Sequence, residues 1–234
     1  MNNPFIITLN TKNVLISFIT ISLFFLALFY SSYIIDLEDY YLFNDYFDIT
    51  REKNIPTFFS FIIMILVAWV YFLLYKEKNR WRWLIISLFF LYLGFDDMFE
   101  IHEHIGSDIG EVITEETLKT GFISYYWQVI FVPIFALFGL FIAYITSKKL
   151  WEKNSIMGIF MLLGGFALYA IAILLDFYEG TDTNFPILSN IFYTLTKNGI
   201  VDLMRATEEA IEMLGGTLIL ASLLKLKEIR ITFN

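Results

Sequence analysis

The stretch "WLIISLFFLYLGFDDMFEIHEH" (83–104) joins thirteen mostly apolar residues to a segment that holds six ionisable side chains. A charged residue at the centre of a membrane helix costs about 2.5–3.5 kcal/mol on insertion scales, so several on one helix cannot face lipid. They must face water, one another or the interior of a helical bundle. The stretch therefore predicts a polar site inside a membrane protein, provided that the rest of the chain supplies the membrane spans.

The composition of the chain indicates that it contains such membrane spans. Of the 234 residues 58% are hydrophobic, and 26 are Phe and 14 are Tyr. A soluble domain is roughly half apolar and rarely holds several uninterrupted apolar runs of about twenty residues. The chain has no Cys, which excludes disulfides and thiolate metal sites, and its net charge of -8 argues against nucleic acid as a partner. We expect a polytopic membrane protein whose main partner is the lipid bilayer.

The apolar stretches predict an all-α, polytopic integral membrane bundle that forms a single domain over residues 1–234. Four of its six predicted transmembrane helices are long enough to cross about 30 Å of hydrocarbon unaided, whereas the third and sixth each combine an apolar half with a charged half. The segment "FPILSNIFYTLTKNG" (185–199) is too short to span and predicts a short interfacial or re-entrant helix. The predicted spans lie near 14–33, 57–75, 83–104, 124–146, 156–177 and 202–224.

The distribution of basic residues predicts the orientation. The segments 76–82, 147–153 and 225–230 hold ten of the sixteen Lys and Arg residues. By the positive-inside rule these segments are cytoplasmic, so both termini are cytoplasmic and the protein lies in the cell (inner) membrane. An even number of spans agrees with this. The acidic, aromatic loop 36–50 then lies outside, where it offers a surface for a protein partner.

The ionisable residues of the third span share one face of the predicted helix. Because helical residues advance about 100° each, the acids and one His fall within about one third of the circumference, and His102 falls on the other side. A helix that simply ended in water would have no need of such a face. The residues on it are Asp96, Asp97, Glu100, Glu103 and His104.

The sixth span repeats the pattern in "DLMRATEEAIEMLGG" (202–216), whose charged residues also share one face. At about 1.5 Å per residue from the cytoplasmic end, Asp96 lies roughly 20 Å up the third span and Glu212 roughly 18 Å up the sixth. The two helices thus place their deepest carboxylates at one height, in the outer half of the membrane. We expect one site between these helices, with the fifth span nearby and Arg205 as its counter-charge.

Carboxylates crowded together with too few cations must share protons or bind a cation. An oxygen-rich site of this kind suits a divalent metal, with Mn, Fe, Zn and Ca as the candidates. The predicted metal ligands are Asp96, Asp97, Glu100, His104, Glu208, Glu209 and Glu212. The predicted periphery of the site consists of His102, Glu103, Asp176 and Tyr169.

Two helices of the chain resemble a known group of sequences. An acid pair followed by His-Glu, and a later "EEAIEMLG" helix (208–215), resemble uncharacterised bacterial and archaeal multipass membrane proteins whose spans read roughly "LDE…IHE" and "EE.LEMLG". The resemblance implies no activity, but it favours His102 over His104 as the inward-facing imidazole. Either His can turn inward where the helix ends. The matching residues are Asp96, Asp97, His102, Glu103, Glu208, Glu209, Glu212, Met213, Leu214 and Gly215.

Three functions are compatible with these patterns, and whether the protein is an enzyme stays open. The first is a divalent-cation site that serves a membrane enzyme or a metal-binding subunit. The second is a proton- or cation-linked transporter or sensor, in which the acids titrate. The third is a non-catalytic structural subunit of a membrane complex. The almost purely apolar cytoplasmic halves of the spans count against an ion pathway, though not against a sensor.

Overall fold

The computed structural model of the chain describes residues 5–35, 41–51, 53–102, 104–106, 108, 126–180, 200–227 and 229–233. Glu103 and the short helix predicted at 185–199 therefore lie outside the described residues. The helices are α1 (Thr11–Ile35), α2 (Tyr41–Tyr46), α3 (Ile55–Lys78), α4 (Trp81–Phe99), α5 (Tyr126–Glu152), α6 (Ile156–Gly180) and α7 (Ile200–Leu224). Four of them, α1, α3, α5 and α6, are long and apolar enough to cross a membrane.

The chain also forms two short strands that the prediction of an all-helical fold missed. Strand β1 (Phe5–Leu9) pairs antiparallel with strand β2 (Ile229–Phe233), so that Phe5 lies opposite Phe233. This terminal ribbon holds the two ends of the chain together. The two strands therefore lie at the same end of the bundle.

Local sequence defines the hairpin of α3 and α4. Asn54 caps α3, and its side-chain oxygen accepts a hydrogen bond from the backbone N–H of Thr57 at 3.1 Å. At the other end Asn79 adopts a left-handed conformation with φ 49°, which Asn tolerates better than most residues. This turn reverses the chain directly into α4, and the Ser87 hydroxyl of α4 donates to the Ala68 carbonyl of α3 at 2.7 Å.

Helix α7 occupies the centre of the bundle and packs against α6, α1 and α3. Its contact with α6 depends on glycines, since a Cβ added at Gly165 would lie 2.7 Å from the carbonyl oxygen of Gly215. Small residues allow two helix backbones to approach closely in a membrane. The two helices are therefore in close contact at Gly165 and Gly215.

The three basic segments meet at one end of the bundle. Lys227 forms an ion pair with Glu77 at 3.0 Å, which brings the segment after α7 to the end of α3. Lys153, between α5 and α6, donates to the carbonyl oxygen of Leu226 at 2.6 Å. The terminal ribbon begins directly beyond these residues. The candidate site described next lies farther along the helices, away from this basic end.

Candidate functional site

Helix α4 ends earlier than predicted, and this changes which residues can reach the site. Its last helical residue is Phe99, and Glu100 adopts a left-handed conformation with φ 54°, while its backbone N–H donates to the carbonyl oxygen of Asp96. Residues other than Gly seldom adopt this conformation. Because the regular 100° advance stops at Glu100, the prediction of one continuous helix to His104 is wrong. The helical face predicted beyond Glu100 is lost with it.

The turn brings His102, rather than His104, back onto Asp96. The backbone N–H of His102 donates to Asp96 Oδ1 at 2.9 Å, and the ring atom Nδ1 lies 3.0 Å from Asp96 Oδ2. The hydroxyl of Tyr92 also donates to Asp96 Oδ1, at 3.2 Å. The carboxylate of Asp96 is buried, at 4% exposure, and holds the turn together. A carboxylate on Nδ1 also orients the imidazole, which leaves Nε2 as its other polar atom.

His104 and Glu100 are engaged elsewhere. The side chain of His104 is exposed, and its Nδ1 lies 2.7 Å from the carbonyl oxygen of Glu100. The carboxylate of Glu100 pairs with Lys53 at 2.9 Å, just before α3. The placement of His104 beside Asp96 that the helical wheel predicted is therefore corrected in favour of His102, as the family resemblance implied.

The side chain of Asp97 contacts different residues from that of Asp96, although the two are adjacent in sequence. Its carboxylate is hydrogen-bonded to Ser60 of α3, and it interacts electrostatically with His102 and with Asp96. Its second oxygen, Oδ2, is buried and finds no hydrogen-bond partner within the described ranges. A buried acceptor without a donor is costly, at about 1–3 kcal/mol, and more if it is charged. Such an atom requires an explanation.

The hydroxyl of Tyr169 in α6 donates to the sulfur of Met64 at 3.8 Å. It also interacts electrostatically with Glu212, Asp97 and Glu209. The same hydroxyl would lie 3.2 Å from a Cβ at Gly216, so the absence of a side chain on α7 makes room for it. The sequence prediction placed Tyr169 at the periphery of the site, and its electrostatic neighbours come from both α4 and α7.

The remaining predicted residues occupy several settings. Glu208, Glu209 and Glu212 of α7 are half-buried, whereas the side chain of Arg205 is exposed. The role of Arg205 as the counter-charge therefore stays a prediction.

The predicted peripheral acid Asp176 accepts a hydrogen bond from Gln128 Nε2 at 2.6 Å, across the contact between α5 and α6. This pair joins two helices, so Asp176 has a structural role in the bundle.

Comparison with known proteins gives one match. The family model described as a domain of unknown function, DUF8692, matches residues 16–226. The chain belongs to the DUF8692 family. No curated protein and no solved structure matches the chain. The expected relation to an uncharacterised family thus holds, and the matched range includes every candidate site residue but neither strand of the terminal ribbon.

In this DUF8692 chain the predicted ligands do not assemble into one metal centre. Nowhere in the described part of the chain do three or more His, Asp or Glu residues form a group that could hold a metal ion. The physical reason is that the acids of α4 have different partners. Asp96 faces His102, Glu100 faces Lys53, and Asp97 faces α3 and Tyr169.

Proposed function

We propose that this DUF8692 protein crosses the cell membrane six times. Four helices satisfy the length and apolarity of a span by themselves. Helices α4 and α7 have 19 and 25 residues. At a rise of about 1.5 Å per residue this corresponds to about 28 and 37 Å, against a hydrocarbon core of about 30 Å. Both pack against apolar spans, which supports counting them as the other two. The shared basic end supports cytoplasmic termini.

Within this bundle we infer a proton-binding site formed by Asp97, Tyr169, Glu209 and Glu212. The observation that carries the proposal is the buried Oδ2 of Asp97, which has no donor among the described residues. A bound proton removes the charge of such a carboxyl group and turns an unmatched acceptor into a donor. Glu209 and Glu212 of α7 interact electrostatically with the same Tyr169 hydroxyl as Asp97. We propose that these two carboxylates can also take up the proton.

A divalent metal is the second candidate for this position, because carboxylate oxygens are its ordinary ligands. Its requirements are harder to meet. Ca²⁺ takes about six to eight oxygen ligands, and Mg²⁺ demands near-octahedral geometry. A proton needs a single oxygen, and the unmatched Oδ2 of Asp97 is one. The geometry therefore favours the proton.

The bundle between the site and the basic end favours a sensor over a transporter. Large apolar side chains of α4 and α7, each at most 1% exposed, fill much of this half of the protein. The buried polar groups described there are hydroxyls, such as those of Tyr71, Ser87 and Thr146, rather than carboxylates or imidazoles. A proton path through it would need polar groups or water along the way, as intramembrane proton relays use chains of Asp, Glu and His. We therefore propose that the site responds to protonation without conducting protons. The packed residues are Trp83, Ile86, Phe90, Leu220 and Leu223.

Infrared difference spectroscopy across a pH titration, on protein in lipid nanodiscs, tests this proposal. We expect the wild type to show the carbonyl band of a protonated carboxyl group, and Asp97→Asn to lose a component of that band. The matched control is Asp45→Asn, because Asp45 is an exposed acid in α2. A band that survives Asp97→Asn unchanged would refute the assignment.

Metal analysis by mass spectrometry on the same samples separates the two candidates. If the wild type contains near-stoichiometric Mn, Fe, Zn or Ca and this metal is lost in Asp97→Asn and Glu212→Gln, the site binds a metal instead of a proton. If neither a titrating carboxyl group nor a metal is found, the acids serve only the packing of the helices.

A further inference from the structure

The register of the terminal ribbon divides its residues between an apolar face and a mostly polar face. Successive residues of a strand alternate between the two faces of a sheet, and residues paired across antiparallel strands share a face. The apolar face consists of the pairs Phe5 and Phe233, Ile7 and Ile231, and Leu9 and Ile229. The opposite face consists of the pairs Ile6 and Thr232, and Thr8 and Arg230. The ribbon is therefore amphipathic.

This amphipathic ribbon needs a surface that covers its apolar face. A two-stranded antiparallel pair is marginally stable at best in water, and packing of its apolar face against another surface stabilises it. Within the residues that the structure describes, each strand has the other strand as its main packing partner, and neither packs extensively on a helix. The covering surface is therefore to be found outside the helical bundle.

Short connections hold the ribbon at the basic end of the bundle. Asn10 alone separates β1 from α1, and its side-chain oxygen accepts a hydrogen bond from the backbone N–H of Asn13 at 2.9 Å. Strand β1 thus leads directly into a helix that is long and apolar enough to cross a membrane. Strand β2 begins two residues after Lys227, which pairs with Glu77 at 3.0 Å. The ribbon therefore starts where the membrane-crossing helices end.

Exposed tryptophans indicate the level of this end in the membrane. Trp81 lies four residues after Glu77, and Trp151 lies two residues before Lys153. Their side chains are 71% and 68% exposed. Trp side chains concentrate at the membrane–water interface, where their amphipathic rings lie at the level of the lipid headgroups. Because Lys153 donates to the carbonyl oxygen of Leu226, three residues before β2, the ribbon starts at this same level.

The open edges of the ribbon and the charges beside it both fit the headgroup region of a bilayer. The sheet has two strands, so one edge of each strand is unpaired within it. Open sheet edges do not occur in the hydrocarbon region, because no water is present there to pair the backbone N–H and C=O groups. The exposed side chains of Lys12 and Lys225, next to β1 and β2, are cations of the kind that anionic headgroups attract.

We propose that the terminal ribbon lies along the bilayer surface at the basic end, with its apolar face in the boundary between headgroups and acyl chains. Five residues at about 3.4 Å each make the ribbon about 17 Å long. In this orientation its apolar pairs lie at one depth, whereas an upright ribbon would carry Phe5 about 14 Å farther from the membrane than Leu9. The proposal rests on the membrane spans proposed above and is independent of the proton site.

Spin labels on single cysteines, in vesicles of phosphatidylglycerol and phosphatidylcholine, test the proposal, because the chain has no Cys of its own. The collision rates of a label with oxygen, which concentrates in lipid, and with a water-soluble nickel chelate give its depth. We expect the label of Ile7→Cys to lie about 5–10 Å into the boundary, and the label of Ile6→Cys to face water. These adjacent isoleucines on opposite faces form a matched pair. Ile231→Cys and Thr232→Cys repeat the comparison on β2.

Three results would overturn the proposal. Equal depths of the labels of Ile7→Cys and Ile6→Cys would mean that the apolar face is not in lipid. Exclusion of both reagents from the Ile7→Cys label would mean that protein covers the apolar face, and spin–spin broadening between copies would then identify a second copy of the chain as the cover. A depth that decreases from Leu9→Cys to Phe5→Cys would mean that the ribbon stands upright.

A label at Leu140→Cys distinguishes a failure of this proposal from a failure of the proposed spans. Leu140 is exposed on α5, so its label should collide far more with oxygen than with the nickel chelate if α5 crosses the membrane. With that result, a water-exposed apolar face refutes the proposal for the ribbon alone. A label at Leu140→Cys that is accessible to the nickel chelate refutes the spans and the ribbon together.

Discussion

Replacing Gly165 by Ala should force α6 and α7 apart. A Cβ at this position would lie 2.7 Å from the carbonyl oxygen of Gly215 and 2.6 Å from Ile219 Cγ1. Because even close carbon–oxygen contacts are about 3.3 Å long, the helices must separate by roughly 0.6 Å. Overpacking of this kind costs about 1–3 kcal/mol. The neighbouring Gly164→Ala has room, since its Cβ would lie 3.5 Å from Leu218 Cδ1.

The two variants form a matched pair, because each gains the same preference of about 1 kcal/mol that Ala has over Gly in a helix. That gain cancels in the comparison, and the difference in the free energy of unfolding should be about 1–3 kcal/mol, with Gly165→Ala the less stable. Unfolding by sodium dodecyl sulfate in mixed micelles, followed by circular dichroism, measures it. Equal stability of the two variants would show that α6 and α7 are not in the close contact described here.

Two further predictions concern single polar contacts. Tyr71→Phe removes the hydrogen bond to Thr146 at 2.9 Å, and a double-mutant cycle with Thr146→Val should give a coupling of about 0.6–1.7 kcal/mol in the same unfolding assay; strict additivity would contradict the bond. His102→Ala removes the ring contact to the buried Asp96, so backbone amide hydrogen exchange around Glu100 should become faster. His104→Ala removes only an exposed contact to the Glu100 carbonyl oxygen and should have a smaller effect; the reverse ranking would restore the predicted role of His104.

The four long apolar helices were predictable because they depend on local composition. The observed bounds of α3 and α6 differ from the predicted 57–75 and 156–177 by at most three residues. An apolar run of this length has few alternatives to a helix in lipid, where every backbone polar group must be paired within the segment. The terminal ribbon was not predictable, because the five residues of β1 pair with five residues more than 200 positions later in the sequence. The local sequence of one strand does not indicate which segment it pairs with.

The site was predictable only in part. The sequence indicated which helices carry the acids, but the helical wheel assumes that the helix continues. The turn at Glu100 is held by His102 on Asp96 and by Lys53, which comes from before α3. The helical periodicity of a sequence cannot reveal contacts of this kind between residues that are far apart along the chain. The electrostatic link of Tyr169 to acids of both α4 and α7 was missed for a similar reason, because a Tyr within an apolar run looks like any other aromatic residue.

The terminal ribbon and the packing of α1 on α7 have a consequence for biosynthesis. Helix α1 has α7 as its main helix partner, and strand β1 pairs with β2, so each depends on residues that are made much later. Domains made on the ribosome usually fold from the N-terminal side as the chain grows. In this protein the face of α1 that packs on α7 stays uncovered until α7 has been made, although α1 can contact Phe59 of α3 earlier. A chain that stops before α7 therefore exposes this face of α1, and quality control can recognise it there.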